Sequence, residues 1–426
     1  MTRKARYGGL DDLYRVTEQG ELQRIGSFQF DERQNITAVC LDQQTACQQQ
    51  TERLRHPLAE AHVDFTSIYD GVPWWLADSL PRGYMGQAVR AAFSKAYPSL
   101  DPGSPAAAMA YLTDPRFGLD LPGHFIVGQA CAEAFEKRKD KPKGKPARSI
   151  EGEEGRARSY PALAARADRG QVFEAPVCGF FKKFTAVADG KPVIVKFARA
   201  GSIERDLLLC ESIASSLVPD LAGKFPPITF PSTLRDIGDY SFLEIERFDR
   251  NSNGGRYGVV SLGAMYYALV DRKRHDWVGM ADELQKAGLI APITSERIWM
   301  VERFGELILN HDMHAGNLSF FLSDSFPLKP APVYDMLPMA YMPHEGELPD
   351  YSHWMPPMPK ESMPEFGWGM DLQPFAAALG FWDRVANDAS IRPALRSQAR
   401  QHAERINAAR HDQTSISMGG QLNDDF

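Results

Sequence analysis

The feature that most constrains this chain is a polar loop, His311 to Asn317, set between the apolar runs 307–309 and 318–322. Asp312 is followed five positions later by Asn317, and Asp335 comes eighteen residues after that, behind another apolar stretch. An Asp, an Asn and a second Asp at these separations are typical of a phosphotransferase catalytic loop. The pattern therefore predicts a fold that brings the three side chains to one place.

The residue types suit the chemistry of phosphoryl transfer, which depends on positioning and on neutralising charge. Asp312 would accept the proton of the attacking hydroxyl, while Asn317 and Asp335 would offer Mg²⁺ the hard oxygen ligands that it prefers. Residues 332–335 read as a short strand, and residues 320–328 as a hairpin that returns Asp335 towards Asn317. The alternative is a structural polar turn held by Asx-type hydrogen bonds.

Composition limits the class of protein. The 426 residues are 43% hydrophobic and 24% charged, as in an ordinary globular protein of two or three domains. The net charge of −7 argues against direct nucleic-acid binding. No run is long enough to span a membrane, and the basic N-terminus lacks the apolar core of a secretory signal. Five cysteines without a CxxC pair favour reduced thiols, no zinc site and a cytoplasmic location.

The first part of the chain mixes strands and helices. Residues 13–16 and 22–30 predict a hairpin, and residues 70–76 a turn running into an aromatic cluster. Residues 84–135 look mostly helical. The lysine-rich run 137–158 has few apolar residues, which predicts a mobile linker or loop. A basic run can also bind nucleic acid, although Glu151, Glu153 and Glu154 lie beside this one.

A strand-rich block follows, and then helices. Strand patterns at 181–187 and 192–197 flank Asp189-Gly190, a hairpin turn signal. Residues 203–217 have helical spacing and 241–248 form another strand pattern. The patterns of 261–310 and 373–410 are helical. A β-rich lobe thus precedes a helical lobe that contains the catalytic loop, which is the order of a bilobal kinase.

Lys196 lies inside an otherwise apolar strand, so it must either extend to solvent or find an anion. In a kinase-like lobe this lysine neutralises the nucleotide phosphates and pairs with a helix carboxylate. The next helix offers Glu211 and Asp206, of which Glu211 is preferred. A surface lysine on an edge strand is the other interpretation.

Two further segments complete the predicted nucleotide site. Residues 246–250, Glu-Arg-Phe-Asp-Arg, follow the last strand of the small lobe, where a hinge would meet the adenine ring; a structural salt-bridge cluster is the alternative. Residues 176–183 occupy the place of the phosphate-covering loop. They contain one glycine, Gly179, so Lys182 or Lys183 could supply charge instead.

Together these segments resemble the HipA family of serine/threonine kinases, the toxins of bacterial toxin–antitoxin modules. The likeness covers most of residues 170–345, and residues 70–76 and 123–128 resemble the family's N-terminal subdomain. The layout is closest to the YjjJ-type branch. The resemblance implies an α+β, bilobal protein-kinase-like fold with a HipA-type N-terminal subdomain.

The resemblance also implies a role for each matching residue. Asp312 would be the catalytic base, and Asn317 and Asp335 the magnesium ligands. The residues expected to bind the ATP cofactor are Lys196, Gly179, Lys183, Glu246, Phe248, His314, Asn317 and Glu211. Family members phosphorylate a serine of a protein, typically an aminoacyl-tRNA synthetase, and can autophosphorylate a serine in the phosphate loop.

Two departures from the family pattern concern the nucleotide. Pro176 stands where the regulatory serine is expected, and Phe180-Phe181 where the family has polar residues. Gly316 occupies the place of a lysine in HipA itself. Self-phosphorylation within residues 176–184 is therefore not expected, apart from an event at Thr185 just beyond.

Two other functions fit parts of the pattern. Small-molecule kinases of the aminoglycoside/choline type share the Asp-x-His-x-Gly-Asn loop of Asp312 to Asn317. A degenerate kinase fold acting as a binding protein would explain Phe180-Phe181. The segment around Asp335 and the 246–250 motif favour the HipA-like kinase over the first, and the intact polar residues oppose the second.

The predicted organisation has five parts. Residues 1–136 form the N-terminal subdomain, 137–160 a flexible basic linker or loop, and 161–250 the β-rich nucleotide-binding lobe. Residues 251–410 form the helical catalytic lobe, and 411–426 a loose tail. The expected partners are a protein substrate and an antitoxin or DNA-binding protein, with no membrane.

Overall fold

The computed structural model describes residues 10–42, 66–81, 83–139, 149–168, 180–221, 228–270, 273–357 and 372–420. Within these ranges the chain forms three β-sheets and ten α-helices. The predicted glycine of the phosphate loop, Gly179, lies outside the described residues, as do residues 421–426 of the predicted tail. In the described part of the chain, no helix is both long and apolar enough to cross a membrane.

The N-terminal region is built on an antiparallel five-stranded sheet of order β4-β3-β2-β1-β5. Its strands are β1 (Leu10–Val16), β2 (Leu22–Asp31), β3 (Ile36–Leu41), β4 (Thr66–Asp70) and β5 (Phe125–Val127). Its helices are α1 (Gly83–Ala96), α2 (Pro105–Thr113) and α3 (Gln129–Lys139), with a 3₁₀ helix at Trp74–Ser79. The β1–β2 hairpin that the sequence predicted is confirmed, and it turns at Gly20 with φ +80°.

Helix α4 (Gly152–Asp168) corrects the prediction of a flexible linker at 137–160 where the two overlap; residues 140–148 of the predicted linker lie outside the described residues. Its Tyr160 and Ala164 are fully buried against the neighbouring sheet, where Tyr160 packs on Phe184. Arg156 is also buried, because its guanidinium pairs with Glu244 at 2.7 Å. The apolar face was easy to miss because the arginines and glutamates around it read as a solvated run.

The small lobe is a mixed sheet of order β6-β7-β8-β10-β9. Its strands are β6 (Ser149–Ile150), β7 (Lys182–Ala188), β8 (Lys191–Arg199), β9 (Ser232–Ile237) and β10 (Tyr240–Glu246). Helix α5 (Ile203–Leu217) follows β8 and starts at Ser202, whose hydroxyl accepts from the Arg205 N–H at 3.2 Å. The predicted turn at Asp189-Gly190 is confirmed; both residues have positive φ, as a tight two-residue hairpin requires.

The large lobe is mostly helical. It contains α6 (Leu262–Leu269), α7 (Trp277–Lys286), α8 (Pro292–Leu307), α9 (Leu372–Asn387) and α10 (Pro393–Gly420). A small sheet of β11 (Gly258–Ser261), β12 (Ser319–Leu322) and β13 (Lys329–Pro330) carries the hairpin predicted after the catalytic loop.

Two boundaries differ from the sequence-based expectation. Within the described residues, the strand expected at 332–335 is reduced to one parallel bridge between Val333 and Thr229. The tail expected to be loose from residue 411 is helical as far as Gly420, where α10 ends. No proline interrupts this helix, and two glycines occupy its last positions.

One hydrophobic core joins the N-terminal region to both lobes. It includes Trp75 beside the N-terminal sheet, Leu207 of α5 and Phe304 of α8. A second cluster fills the other face of the small-lobe sheet, around Tyr160, Phe184 and Phe242. Because the first core is continuous, the N-terminal region packs against the elements that carry the site.

Candidate active site

The catalytic loop follows α8 and is held through its backbone. The Asn317 N–H donates to the His314 carbonyl at 2.9 Å, and the Asn317 side-chain amide donates to the Asp312 carbonyl at 2.8 Å. Helix α6 presents its first amides to the same loop, since the Gly263 N–H donates to the Ala315 carbonyl at 2.9 Å. The indole of Trp277 adds a bond to the His314 carbonyl at 3.1 Å. The loop is thus fixed from two helices.

Asp312 is half-buried in this loop. It lies at a small recess also lined by Phe181, Lys183, Lys196 and Asp335. Burial raises the pKa of the Asp312 carboxyl above its ordinary value; His314 opposes this shift, and Asp335 adds to it. A raised pKa makes a carboxylate a better proton acceptor near neutral pH.

Asp335 meets the loop in a backbone conformation with φ +54°, the left-handed region that residues other than glycine seldom adopt. Its carboxylate contacts the Lys196 ammonium directly. Burial alone would raise the pKa of Asp335, but the charges of Lys196 and Lys183 outweigh it and hold the pKa below its usual value. The group is therefore kept ionised.

Lys196 projects from β8 and pairs with Glu211 of α5, at 2.5 Å to one carboxylate oxygen and 2.7 Å to the other. Both side chains are buried. Burial lowers the pKa of Lys196, yet Asp335 and Glu211 together raise it above its ordinary value. Asp206, the other helix carboxylate that the sequence offered, points away and pairs with Arg392 at 2.5 Å.

Of the two lysines at the start of β7, Lys183 rather than Lys182 lines the site. Lys183 is buried and stands opposite Lys196 in the β7–β8 register, whereas Lys182 pairs with Asp168 at 2.6 Å. The ring of Phe181 lies over Lys196, 5.9 Å from the ammonium nitrogen. This aromatic departure from the family pattern therefore packs on the central lysine.

A cavity of about 780 Å³ lies between the lobes and is large enough for a nucleotide. The predicted site residues that line it are Lys183, Lys196, Glu211, Glu246, Phe248, His314, Asn317 and Asp335. Asp312 lines the adjoining recess instead. The N-terminal region supplies part of the wall through Val72, Trp74 and Asp78.

The hinge segment, residues 246–250, combines the two interpretations that the sequence left open. Phe248 lines the cavity and stacks on Tyr334, with ring centroids 5.7 Å apart. Glu246 also lines the cavity, and its carboxylate pairs with Lys191 at 2.9 Å. The remaining three residues of the segment carry charges that join a buried ion cluster, described below.

Two residues that link the parts of the site were given no role from the sequence. The buried Asn310 accepts from the Asp312 N–H at 3.2 Å and donates to the Asp335 carbonyl at 3.4 Å. Tyr334 donates to the Gly316 carbonyl at 2.8 Å and lies 2.7 Å from the Ser319 hydroxyl. A polar residue directly after the apolar run 307–309 was the available signal for Asn310.

The donor set fits a magnesium nucleotide. Mg²⁺ is usually held by one or two carboxylates together with the phosphates of the substrate, and Asn317 and Asp335 offer such oxygens at the cavity wall. Lys183 and Lys196 bring two positive charges to the same end of the cavity. Among the described residues, no group of three or more His, Cys, Asp or Glu side chains forms a separate metal site.

Comparison with known proteins gives two family matches. The HipA-like C-terminal domain matches residues 175–412, and the YjjJ-like toxin middle domain matches residues 11–136. The chain is 30% identical to Toxin YjjJ of Escherichia coli (strain K12) over 367 residues, which cover 79% of this chain and 75% of that protein. These matches confirm the family that the sequence motifs suggested.

The fold is similar to that of a solved structure of HipA. The chain aligns with a structure of the Shewanella oneidensis MR-1 toxin–antitoxin system HipA, HipB and its operator DNA. The TM-score is 0.55 at 16% identity, covering 94% of this chain and 97% of that chain. This likeness confirms the predicted α+β, bilobal protein-kinase-like fold.

Proposed function

The chain belongs to the HipA/YjjJ family of toxins, and on this basis we propose that it is an ATP-dependent protein kinase acting on serine or threonine. The observation that carries the proposal is the convergence of Asp312, Asn317 and Asp335 with the Lys196–Glu211 pair. Asp312 suits the acceptor hydroxyl, Asn317 and Asp335 suit Mg²⁺, and Lys196 suits the phosphates.

We assign Asp312 as the catalytic base. It accepts the proton of the acceptor hydroxyl as that oxygen attacks, and its raised pKa suits it to this task. The bond from the Asn317 amide to the Asp312 carbonyl, together with Asn310, keeps the carboxylate in place. Bound ATP supplies the γ-phosphoryl group.

Asn317 and Asp335 are the proposed magnesium ligands, and Lys196 and Lys183 the residues that neutralise the phosphates. Lys196 contacts Asp335 in this structure, so the lysine and the carboxylate already share the place where phosphate and metal would meet. Glu211 fixes the lysine from the other side. The carboxylates and lysines are therefore arranged for both partners of a magnesium nucleotide.

The remaining proposed contacts with ATP include residues at the hinge end of the cavity. We propose that the Phe248–Tyr334 stack and the backbone near Glu246 receive the adenine ring, and that His314 lies near the nucleotide. Gly179 would cover the phosphates from its loop. Packing of Phe181 on Lys196 supports a phosphate end in which an aromatic ring replaces polar family residues.

The acceptor and the partners are proposed from the family. A serine or threonine of a translation component, such as an aminoacyl-tRNA synthetase, is the proposed substrate. The HipA of the solved relative is in a complex with HipB and operator DNA, which supports an antitoxin or DNA-binding partner here. The described Cys40, Cys131 and Cys210 are free thiols, which suits the cytoplasm.

The test is transfer of label from γ-labelled ATP to proteins of a bacterial lysate. Wild-type protein with Mg²⁺ is expected to label discrete protein bands, and Asp312→Asn to leave them unlabelled. Asp324→Asn is the matched control, because the Asp324 carboxylate is exposed and pairs with Arg15 of β1. Unchanged bands with Asp312→Asn would refute the assignment, and label in a small-molecule fraction alone would favour the aminoglycoside/choline type.

A further inference from the structure

One short segment of the N-terminal region, residues 119–123, is bonded to the hinge segment and is called the strap below. The Asp120 carboxylate of the strap accepts from Arg247 at 3.0 and 3.1 Å and from Arg250 at 3.3 Å. It also accepts from the Thr185 hydroxyl of β7 at 3.2 Å. A single side chain thus contacts the hinge segment and the hairpin that carries Lys183.

The backbone of the strap is bonded to the same cluster. The carbonyls of Leu121 and Gly123 accept from Arg250 at 2.5 and 2.7 Å, and the Gly123 N–H donates to Asp249 at 3.0 Å. Gly123 has φ +80°, and a Cβ there would lie 3.2 Å from the Val259 nitrogen. Only glycine lets the strap approach β11 this closely.

The charges of the cluster make Asp120 hard to replace. Two carboxylates, Asp120 and Asp249, face three guanidinium groups, those of Arg247, Arg250 and Arg256. Burial alone would raise the pKa of Asp120, but Arg247 and Arg250 keep it below its usual value. Without this carboxylate, Asp249 would be the one carboxylate still bonded to Arg247 among the described residues, and three buried guanidinium groups would share a single negative charge.

Arg247 lines the nucleotide cavity together with its neighbours Glu246 and Phe248. Thr185 lies two residues after Lys183 on β7, in the same sheet as β10, which ends at Glu246. A shift of Arg247 or of β7 would therefore change how Lys183 and Phe248 are placed around the cavity. Asp120, which does not line the cavity, would affect ligand binding through this geometry.

We propose that Asp120 is a positioning residue of the nucleotide site, through which the N-terminal region sets the affinity for Mg-ATP. The inference rests on the proposed kinase function but concerns a different property. Among the described residues, no hydrogen bond or ion pair joins the strap to Asp312, Asn317 or Asp335, so we expect Asp120 to act on binding rather than on the transfer step.

The test is calorimetric titration of the full chain with Mg-ATP, alongside urea unfolding without nucleotide. Asp120→Asn is expected to raise the Kd about tenfold, whereas Asp120→Glu, which keeps the charge, recovers part of the affinity. Thr185→Val, which removes one hydrogen bond and no charge, should raise the Kd by about threefold. The Thr185→Val variant keeps the test decisive if Asp120→Asn does not fold.

Asp114→Asn is the matched control. Asp114 lies six residues before Asp120 and accepts from Arg116 and, at 2.7 Å, from Tyr97, and no hydrogen bond of the described residues joins it to the hinge segment. Its loss should lower stability yet leave the Kd within about twofold. Either of two results would overturn this inference and leave the proposed function standing. One is an equal rise in Kd for Asp114→Asn and Asp120→Asn; the other is no rise in Kd for either Asp120→Asn or Thr185→Val. Failure of the wild-type chain to bind Mg-ATP would overturn the proposed function as well.

Discussion

The two ends of the central cavity use charge in opposite ways. At the phosphate end, Lys183, Lys196 and Asp335 all line the cavity. At the hinge end, Arg247 and Asp249 also line the cavity, but their charged groups, with that of Arg250, are bonded to one another and to Asp120 of the strap, which does not line it. The phosphate end thus keeps its paired charges together on the cavity wall, where a ligand can reach them, whereas the hinge end pairs its charges with another part of the protein.

Within a single site, the residues of the phosphate end would therefore act on the ligand, and those of the hinge end would hold the cavity in shape. Substitutions at the phosphate end should change transfer and binding, and substitutions at the hinge end should change stability and the shape of the cavity.

Lys196→Met should have the largest effect, because it acts on both properties. Labelled transfer should fall on the order of 10²–10³-fold, as when a group that stabilises transition-state charge is lost. The buried Glu211 would also lose its cation, at a cost to stability of about 3–5 kcal/mol. Labelling assays and urea unfolding measure the two effects.

Lys191→Met provides the control for that substitution. Lys191 lies on the same strand, is 58% exposed and pairs with Glu246, so its removal should cost at most about 1 kcal/mol. If the two lysine variants behaved alike, Lys196 would not be the cation of the site.

Asp249→Asn should mainly destabilise the fold. Arg247 and Arg250 together hold the pKa of Asp249 far below its usual value, against the effect of burial. Losing the charge from this buried cluster should cost about 3 kcal/mol of unfolding free energy in urea. Transfer at saturating ATP, measured below the unfolding transition, should change little; a selective loss of transfer would break the contrast between the two ends.

Asn310→Ala should separate the catalytic loop from the Asp335 segment. It removes both bonds of the buried amide and should destabilise the protein by about 1–3 kcal/mol. The transfer rate should fall on the order of tenfold, because Asp312 and Asp335 are no longer held at one spacing. Labelling reactions at saturating Mg-ATP, stopped at successive times, measure this rate. An unchanged rate would show that the loop holds its shape without Asn310.

The pH dependence of Asp312→Asn should be the smallest effect. The folded-state pKa of Asp312 is raised above the unfolded value, so its contribution to stability is fully present below about pH 3.9 and is lost as pH rises through the folded pKa. Asp312→Asn should therefore have a higher Tm than wild type at pH 7, with the difference disappearing in acid. A lower Tm for the variant at pH 7 would contradict the direction assigned to this pKa.

Much of the fold was predictable because it depends on local patterns. The β7–β8 hairpin was indicated by Asp189-Gly190, and α5 by its apolar spacing; both are present. The Lys196–Glu211 contact was also preferred on sequence grounds, and the ion pair exists. Apart from the linker and the tail, which helices α4 and α10 correct, the limits of the predicted domains and the role of each site residue remain predictions.

What could not be predicted depends on residues far apart in the chain. Helix α4 was missed because its buried face is recognisable only against the small-lobe sheet. The 246–250 motif was correctly placed beside the cavity, but Asp120, the partner of its arginines, lies 127 residues before Arg247. No pattern within the motif indicates that its arginines pair with this distant carboxylate.

Local spacing and the chemistry of single side chains were sufficient to indicate the order of the lobes, the catalytic loop and the family. Which charges pair on the cavity wall and which pair with the strap follows from the tertiary structure. It places the Asp120 carboxylate of the strap against two arginines of the hinge segment. An ion pair depends on distance in space, and folding alone brings residues 120 and 247 within hydrogen-bonding reach.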